Sequence, residues 1–349
     1  MRWRHAPGPA TLAAMEITQV PVADDGGMRE WYDLFHAAER ADVPDVPVTP
    51  FPELLEKARG GADTEREDFW VARSDGVAIG CYRLRMPQRD NLDAATLVLG
   101  VAPGHRHRGY GRALADHAVD QVRALGRRRI WVEVVGPVDG DPSAGAVLAG
   151  KVGFRRALVQ TRRVLDLTAL DDARLAGLED GATASAGGYD VVAWTGPCPE
   201  EHLEGYAALV SRMSTDAPLD DLALEPEVWD AARIRSHEAV TAAQQRTVVL
   251  TAARHVASGE LVAYTDIAVS AHAPAEAHQW STIVRREDRG HRLGLLVKVA
   301  NLRRVREQLP QAERVHTWNA DSNDHMVAIN DALGFVPVHR EVEWQLELP

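Results

Sequence analysis

The sequence of 349 residues is long enough for two folded units, and 45% of it is hydrophobic, so each unit can bury a core. Its 39 basic and 51 acidic side chains give a formal net charge of −12, which argues against a nucleic-acid partner and favours cationic ligands. The two cysteines, Cys81 and Cys198, stand far apart without paired spacing, so neither a disulfide framework nor a zinc site is expected, and no run of 18 apolar residues suggests a membrane span. A cytoplasmic protein without a metal is the expectation.

Met1–Ala14 lacks the apolar segment of a signal peptide and reads as a disordered extension. Order begins at Met15. Glu16–Val20 reads as a strand and Glu30–Ala38 as a helix. Prolines 44, 47, 50 and 52 make a loop before a second helix at Glu53–Arg59. Asp68–Ala72 and Val77–Met86 read as strands joined by a hairpin turn at Ser74-Asp75-Gly76. Cys81, inside the second of these strands, reads as a core residue.

The next stretch carries the chemistry. Thr96–Val101 is apolar and partly β-branched, a buried strand, and Pro103-Gly104 ends it. From Arg112 the apolar residues Leu114, Ala118, Val122 and Leu125 recur at helical spacing. Between strand and helix lies Arg106-His107-Arg108-Gly109-Tyr110-Gly111. The first N–H groups of a helix have no internal partner, and the helix dipole places partial positive charge on them. Gly109 and Gly111 let a ligand approach the backbone, and Arg106, Arg108 and Arg112 add charge, so the loop reads as a phosphate cradle. It is not a P-loop, because no Gly-Lys-Ser/Thr follows, and a single Gly-x-Gly does not make the dinucleotide fingerprint.

Val101-Ala102-Pro103 followed by Arg106-x-x-Gly109-x-Gly111 resembles the signature of the GNAT acetyltransferase superfamily. The likeness continues through a strand at Arg129–Val135, a helix of small residues and Gly153-Phe154. It implies an α+β fold, a mixed and mostly antiparallel twisted sheet flanked by helices, with acetyl-CoA as cosubstrate. It implies cofactor contacts at Leu99, Gly100, Val101, Arg106, His107, Arg108, Gly109, Tyr110, Gly111 and Arg112. Backbone N–H groups near Val101 would polarise the thioester carbonyl. Asp93, just before the key strand, and Glu133, on the next, are the candidate general bases; either can equally be a solvated carboxylate. The family's general-acid tyrosine, four residues before Gly-Phe, is missing, since Ala149 and Asn330 stand there; Tyr110, another group or water would serve instead.

Two strands follow Phe154, near Arg156–Gln160 and Arg162–Leu167, and residues 169–188 read as a linker with room for one short helix. The pattern then repeats. Arg289-Gly290-His291-Arg292-Leu293-Gly294 opens a second helix, with Arg106 and Arg289 separated by 183 positions and the pairs Gly153-Phe154 and Gly334-Phe335 by 181. The chain therefore divides into a first GNAT fold, 15–168, and a second GNAT-like fold, 189–349. Arg292 replaces Gly109, which would crowd a pyrophosphate. Asn319 and Asn323 stand where family members often contact the pantetheine arm, though capping explains them equally well. Glu276 and His278 map onto Asp93 and Ala95, and His278 is expected on the surface. The first half is expected to bind acetyl-CoA and acetylate a primary amine of a small cationic acceptor, an aminoglycoside or basic-peptide antibiotic among the candidates, in a monomer or homodimer. A mycothiol-synthase-like role and a non-catalytic acetyl-CoA sensor are the alternatives.

Overall fold

The computed structural model describes residues 15–61, 63–139 and 142–349; the extension expected over 1–14 lies outside them. The first half runs β1 (Met15–Val20), α1 (Asp25–Asp42), α2 (Phe51–Gly60), β2 (Glu65–Ser74), β3 (Val77–Pro87), β4 (Ala94–Val101), α3 (Tyr110–Ala124), β5 (Arg129–Gly136), α4 (Ala144–Val152) and β6 (Arg155–Asp166). After α5 (Asp172–Thr183) the order recurs: β7 (Tyr189–Thr195), α6 (Leu203–Ser211), α7 (Met213–Asp216), α8 (Ala231–Ala243), β8 (Arg246–His255), β9 (Leu261–Ser270), β10 (Ala273–Val284), α9 (Leu293–Gln308), β11 (Arg314–Ala320), α10 (Asp324–Leu333) and β12 (Val336–Glu347).

Local chemistry explains most boundaries. Asp24 caps α1 by accepting the Gly27 N–H, and Met28, Trp31 and Ala38 on its inner side are buried. Asp75 and Gly76 both have positive φ, as a two-residue hairpin turn requires, and they join β2 to β3 in antiparallel register. Gly153 and Gly334 end α4 and α10 in the left-handed conformation, so the paired Gly-Phe motifs are helix stops. The two strands read after Phe154 are one, β6. The range read as a linker holds α5, a helix of twelve residues whose Leu175 and Ala182 enter the second half's core beside α9.

All twelve strands form one sheet in the order β1-β2-β3-β4-β5-β12-β6-β11-β10-β9-β8-β7. The final strands of the halves have changed places in sequence terms. β12, last in the chain, pairs with β5 and β6, while β6 pairs with β11. The sheet is antiparallel except at two places. β4 runs parallel to β5 only over Ala94–Leu97 with Arg129–Val132, and β10 runs parallel to β11 only over Glu276–His278 with Arg314–His316. Beyond those short ladders each pair diverges, and a wedge opens in the sheet. In the first half, α3 and α4 cover one face and α1 the other. No helix among the described residues is long and apolar enough to cross a membrane.

Candidate active site

The loop after β4 is held from behind. Arg106 donates through Nε to the Val101 carbonyl at 3.2 Å, through Nη1 to Asp42 at 2.6 Å and through Nη2 to the Ala38 carbonyl at 2.8 Å. Its guanidinium therefore fastens the loop to α1 rather than offering a free charge to a phosphate, a correction to its expected role. Arg112 is likewise engaged, with Asp116 at 2.8 Å and the Lys151 carbonyl at 2.9 Å. Tyr110 packs in the core and does not line the cavity described below, so it is not placed to donate a proton there. Arg108 is exposed and outside the cavity described next.

What the loop does offer is backbone. His107 and Gly109 both have positive φ, and Gly109 caps α3 in the left-handed conformation with no side chain over the helix end. The N–H groups of Tyr110, Gly111 and Arg112 are thus left without helical acceptors. A Cβ on Gly111 would stand 3.1 Å from Leu148 and 3.5 Å from Val101, so this glycine lets β4, α3 and α4 close around the helix end.

A cavity of about 620 Å³ begins at this helix end and follows the wedge between β4 and β5. Leu97, Leu99, Val132 and Val134 line it from the α3 side, while Val98, Gly100, Glu133 and the α1 residues Phe35 and Ala38 line it from the other. Residues from both faces of both strands border one space, so the cavity passes through the sheet. At the α1 side it meets carboxylates: Glu39, Asp42 and Glu133.

The two candidate bases part company here. Asp93 lies at the closed end of the β4–β5 ladder, 3.3 Å from Arg129, with its carbonyl accepting the Arg128 and Arg129 N–H groups, and it does not line the cavity. It holds β5 in register; the expectation of a base there is revised. Asp93→Asn should leave kcat within about two-fold in an acetyl-transfer assay, with at most ~1 kcal/mol lost in denaturant melts, as for other half-exposed ion pairs.

Glu133 has company that sequence reading did not foresee. On β12, Glu343 sits directly opposite it and Glu341 one diagonal step away. Burial, then the Glu133 carboxylate, push Glu341 up to about 9 and Glu343 to about 7. Trp318 of β11 donates its indole N–H to Glu341 at 2.5 Å. Three carboxyl groups thus share one patch, two of them carried in by the exchanged strand. No local signal could have paired Glu341 with Glu133, because only the β5–β12 register brings them together.

The second loop copies the architecture and reverses the chemistry. Arg289 donates to the Val284 carbonyl at 3.3 Å as Arg106 does to Val101. Arg292 adopts the left-handed conformation in place of Gly109, and its Nη1 reaches the Gly181 carbonyl of α5 at 3.3 Å. Glu287 and Asp288 occupy the places of Gly104 and His105, bringing negative charge where a phosphate would need none; both are tied to arginines, at 3.1 Å and 2.5 Å. That acidic pair is legible in the sequence as Glu287-Asp288, directly before the repeated loop. Lys298 stands where the first half has Ala115, a cavity-lining residue; its ammonium is 3.3 Å from Gln279 and over the Phe335 ring, and burial lowers it to about 7. Asn323 caps α10 and Asn319 accepts from Asn330 at 2.5 Å. His278 is half-buried rather than on the surface, stacked on Trp318 and beside His316, while Glu276 binds Arg314 and His316. Cys81 is buried, its thiol 3.8 Å from the Trp31 carbonyl, and burial raises it above the ordinary thiol range, so it offers no nucleophile.

The family model described as the acetyltransferase (GNAT) family matches residues 28–140. Among solved structures, a tandem GNAT protein from the clavulanic acid biosynthesis pathway is 32% identical, with a TM-score of 0.79, and the match covers 96% of this chain and 98% of that one. Among curated proteins, the mycothiol acetyltransferase of Geodermatophilus obscurus is 29% identical over 185 residues, 52% of this chain and 56% of that protein. The streptothricin acetyltransferase of Streptomyces lavendulae is 32% identical over 103 residues, 27% of this chain and 50% of that protein. The chain spans little more than half the length of the first of these curated relatives and half of the second. With one likeness running the whole length of both chains and through both halves of the sheet, the chain belongs to the GNAT acetyltransferase family and has the tandem GNAT build.

Proposed function

We propose that the first half takes up acetyl-CoA and transfers its acetyl group to the amine of a small cationic acceptor, and that the second half does not bind acetyl-CoA. The single observation that carries this reading is the cavity that starts at the uncapped N-terminus of α3 and passes through the sheet to Glu133. Acetyl-CoA, the family's cosubstrate, supplies an activated acyl group; the residues present fit it. Three free N–H groups at Tyr110, Gly111 and Arg112 face a left-handed glycine, as a pyrophosphate requires. Apolar walls at Leu97, Leu99, Val132 and Val134 suit an uncharged arm threaded between the strands.

The chain's own part in transfer is positional and acid–base. Beyond the end of the ladder with β5, the diverging backbone of β4 can turn N–H groups toward a thioester carbonyl near Leu99–Val101. The acceptor reaches that carbonyl from the α1 side, past Glu39, whose charge favours an ammonium, while Asp42 is compensated by Arg106. Attack needs the amine neutral. Glu133 faces the cavity and takes the ammonium proton, with Glu341 and Glu343 beside it to share the charge. No side chain is assigned to protonate the leaving thiolate.

The acceptor class rests on the charge of this face; the similar proteins named as mycothiol and streptothricin acetyltransferases supply further candidates for the panel. The test is an acetyl-CoA turnover screen of the full chain against a panel of polyamines, amino sugars, aminoglycosides and amino acids, read as free thiol. Turnover is expected with a polycationic amine, and its KM should rise with salt, since exposed charges are screened over about 8 Å at physiological ionic strength. Turnover confined to neutral or anionic amines would remove the electrostatic basis.

A further inference from the structure

A second cavity, of about 420 Å³, lies in the other half between α6, α8 and the sheet. It is of the size that small ligands occupy. At the corresponding place under α1 in the first half, Trp31 and Phe35 stack at 5.2 Å and pack with Met28, Phe69 and Val71. In the second half the space is walled instead by five aromatic rings, Trp194, Tyr206, Trp229, Tyr264 and Trp280.

Two carboxylates border it: Glu238, tied to Arg235 at 2.7 Å, and one on the floor. Asp266, in the middle of the fully buried strand β9, is 4% exposed and lines the cavity. Oδ1 accepts the Ser281 N–H at 2.7 Å, and the Ser281 side chain and the residue's own backbone N–H also lie near the carboxyl. Arg246 borders the same cavity but is committed to Glu53 at 2.5 Å, its guanidinium over the Trp280 ring. Burial pushes the Asp266 carboxyl up to about 7 against the opposing pull of hydrogen bonds from Ser281 and its own backbone, and no cationic side chain adds to that pull. At the matching place in the first half stands Arg83, paired with Glu67 at 3.2 Å.

A carboxylate without a counter-charge, set under aromatic faces, matches one ligand chemistry. Ring faces attract a cation, the free carboxylate oxygen accepts an N–H from it, and the pairing offsets the cost of keeping that oxygen out of water. We propose that this cavity is a second ligand site, separate from the transfer cavity, for a small ammonium compound with an apolar body and at least one N–H on its charged nitrogen. A quaternary ammonium would satisfy the rings and leave the carboxylate without its hydrogen bond. The site belongs to the half whose loop is closed to phosphate, so it is assigned binding and no acyl transfer.

The probes are 2-phenylethylammonium and its neutral counterpart 2-phenylethanol, titrated calorimetrically into the full chain. The ammonium should bind at least ten-fold more tightly than the alcohol. Asp266→Asn keeps an oxygen for the Ser281 N–H, and should weaken the ammonium at least ten-fold and erase its preference over the alcohol while acetyl-CoA binding is unchanged. Trp280→Leu, a second variant that spares the carboxylate, should weaken the ammonium several-fold. Glu133→Gln should leave ammonium binding as it was. Equal affinity for the two probes, no binding of the ammonium at millimolar concentration, or a loss in Glu133→Gln instead of Asp266→Asn would each overturn the site.

Discussion

Gly109→Arg is expected to weaken acetyl-CoA binding at least 100-fold and to abolish turnover while the protein stays folded. A 100-fold loss corresponds to about 2.7 kcal/mol, less than the contribution of two or three charge-assisted bonds from helix N–H groups to a phosphate. The mutant places a Cβ and a long side chain over the uncapped end of α3, where Gly109 now leaves the N–H groups open. The fold should tolerate it because the second half already carries Arg292 in the left-handed conformation at the same place. The strain of a non-glycine residue there is about 1–2 kcal/mol, visible as a modest fall in Tm. Gly109→Ala should show the strain with a smaller loss of affinity. Calorimetric titration with acetyl-CoA reads the result, and unchanged affinity in Gly109→Arg would sink the assignment of the loop. The reciprocal Arg292→Gly should not create a second acetyl-CoA site, since Glu287, Asp288 and Lys298 remain in the way.

These two loops also show how far the sequence could be read. Strand, turn, glycines and helix are consecutive, so their order gives both the cradle and its repeat 183 positions on. What individual arginines do was not legible, because a side chain's partner depends on elements distant in the chain. Arg106 looks like a phosphate ligand until α1 is seen to supply Asp42 and the Ala38 carbonyl. Asp93 and Glu133 were indistinguishable as isolated acids. Only the point at which β4 and β5 diverge separates them, and that point lies after Leu97 and Val132, beyond Asp93 and just before Glu133. The exchange of β6 and β12 leaves no mark on strand propensity, because either strand would fit beside β5. It decides the acid–base patch all the same, since it sets Glu341 and Glu343 against Glu133.

That patch carries the other large effect. Glu133→Gln should lower kcat by about 10²–10⁴, the range over which general bases act, with a smaller change in the affinity for acetyl-CoA. The accompanying change in pH dependence follows from the neighbours. Glu341 and Glu343 stand at about 9 and about 7 because burial disfavours their charged forms and the Glu133 carboxylate adds to the penalty. With glutamine at 133 that negative charge is gone, so both carboxyls fall toward their ordinary range. Residual activity resting on them should then show a rising limb of kcat/KM set by these two carboxyls instead of by residue 133. Stability should respond to the same two groups. In the native protein these groups keep protons that the unfolded chain releases near pH 4.5, so the fold loses stability as pH rises through 7 toward 9. Glu341→Gln, which fixes the neutral form, should flatten that loss in denaturant melts and leave Glu133 in place as the base. A kcat for Glu133→Gln within about three-fold of the native value, with an unmoved pH profile, would assign the proton to solvent and leave the carboxylate patch only its electrostatic attraction for the acceptor.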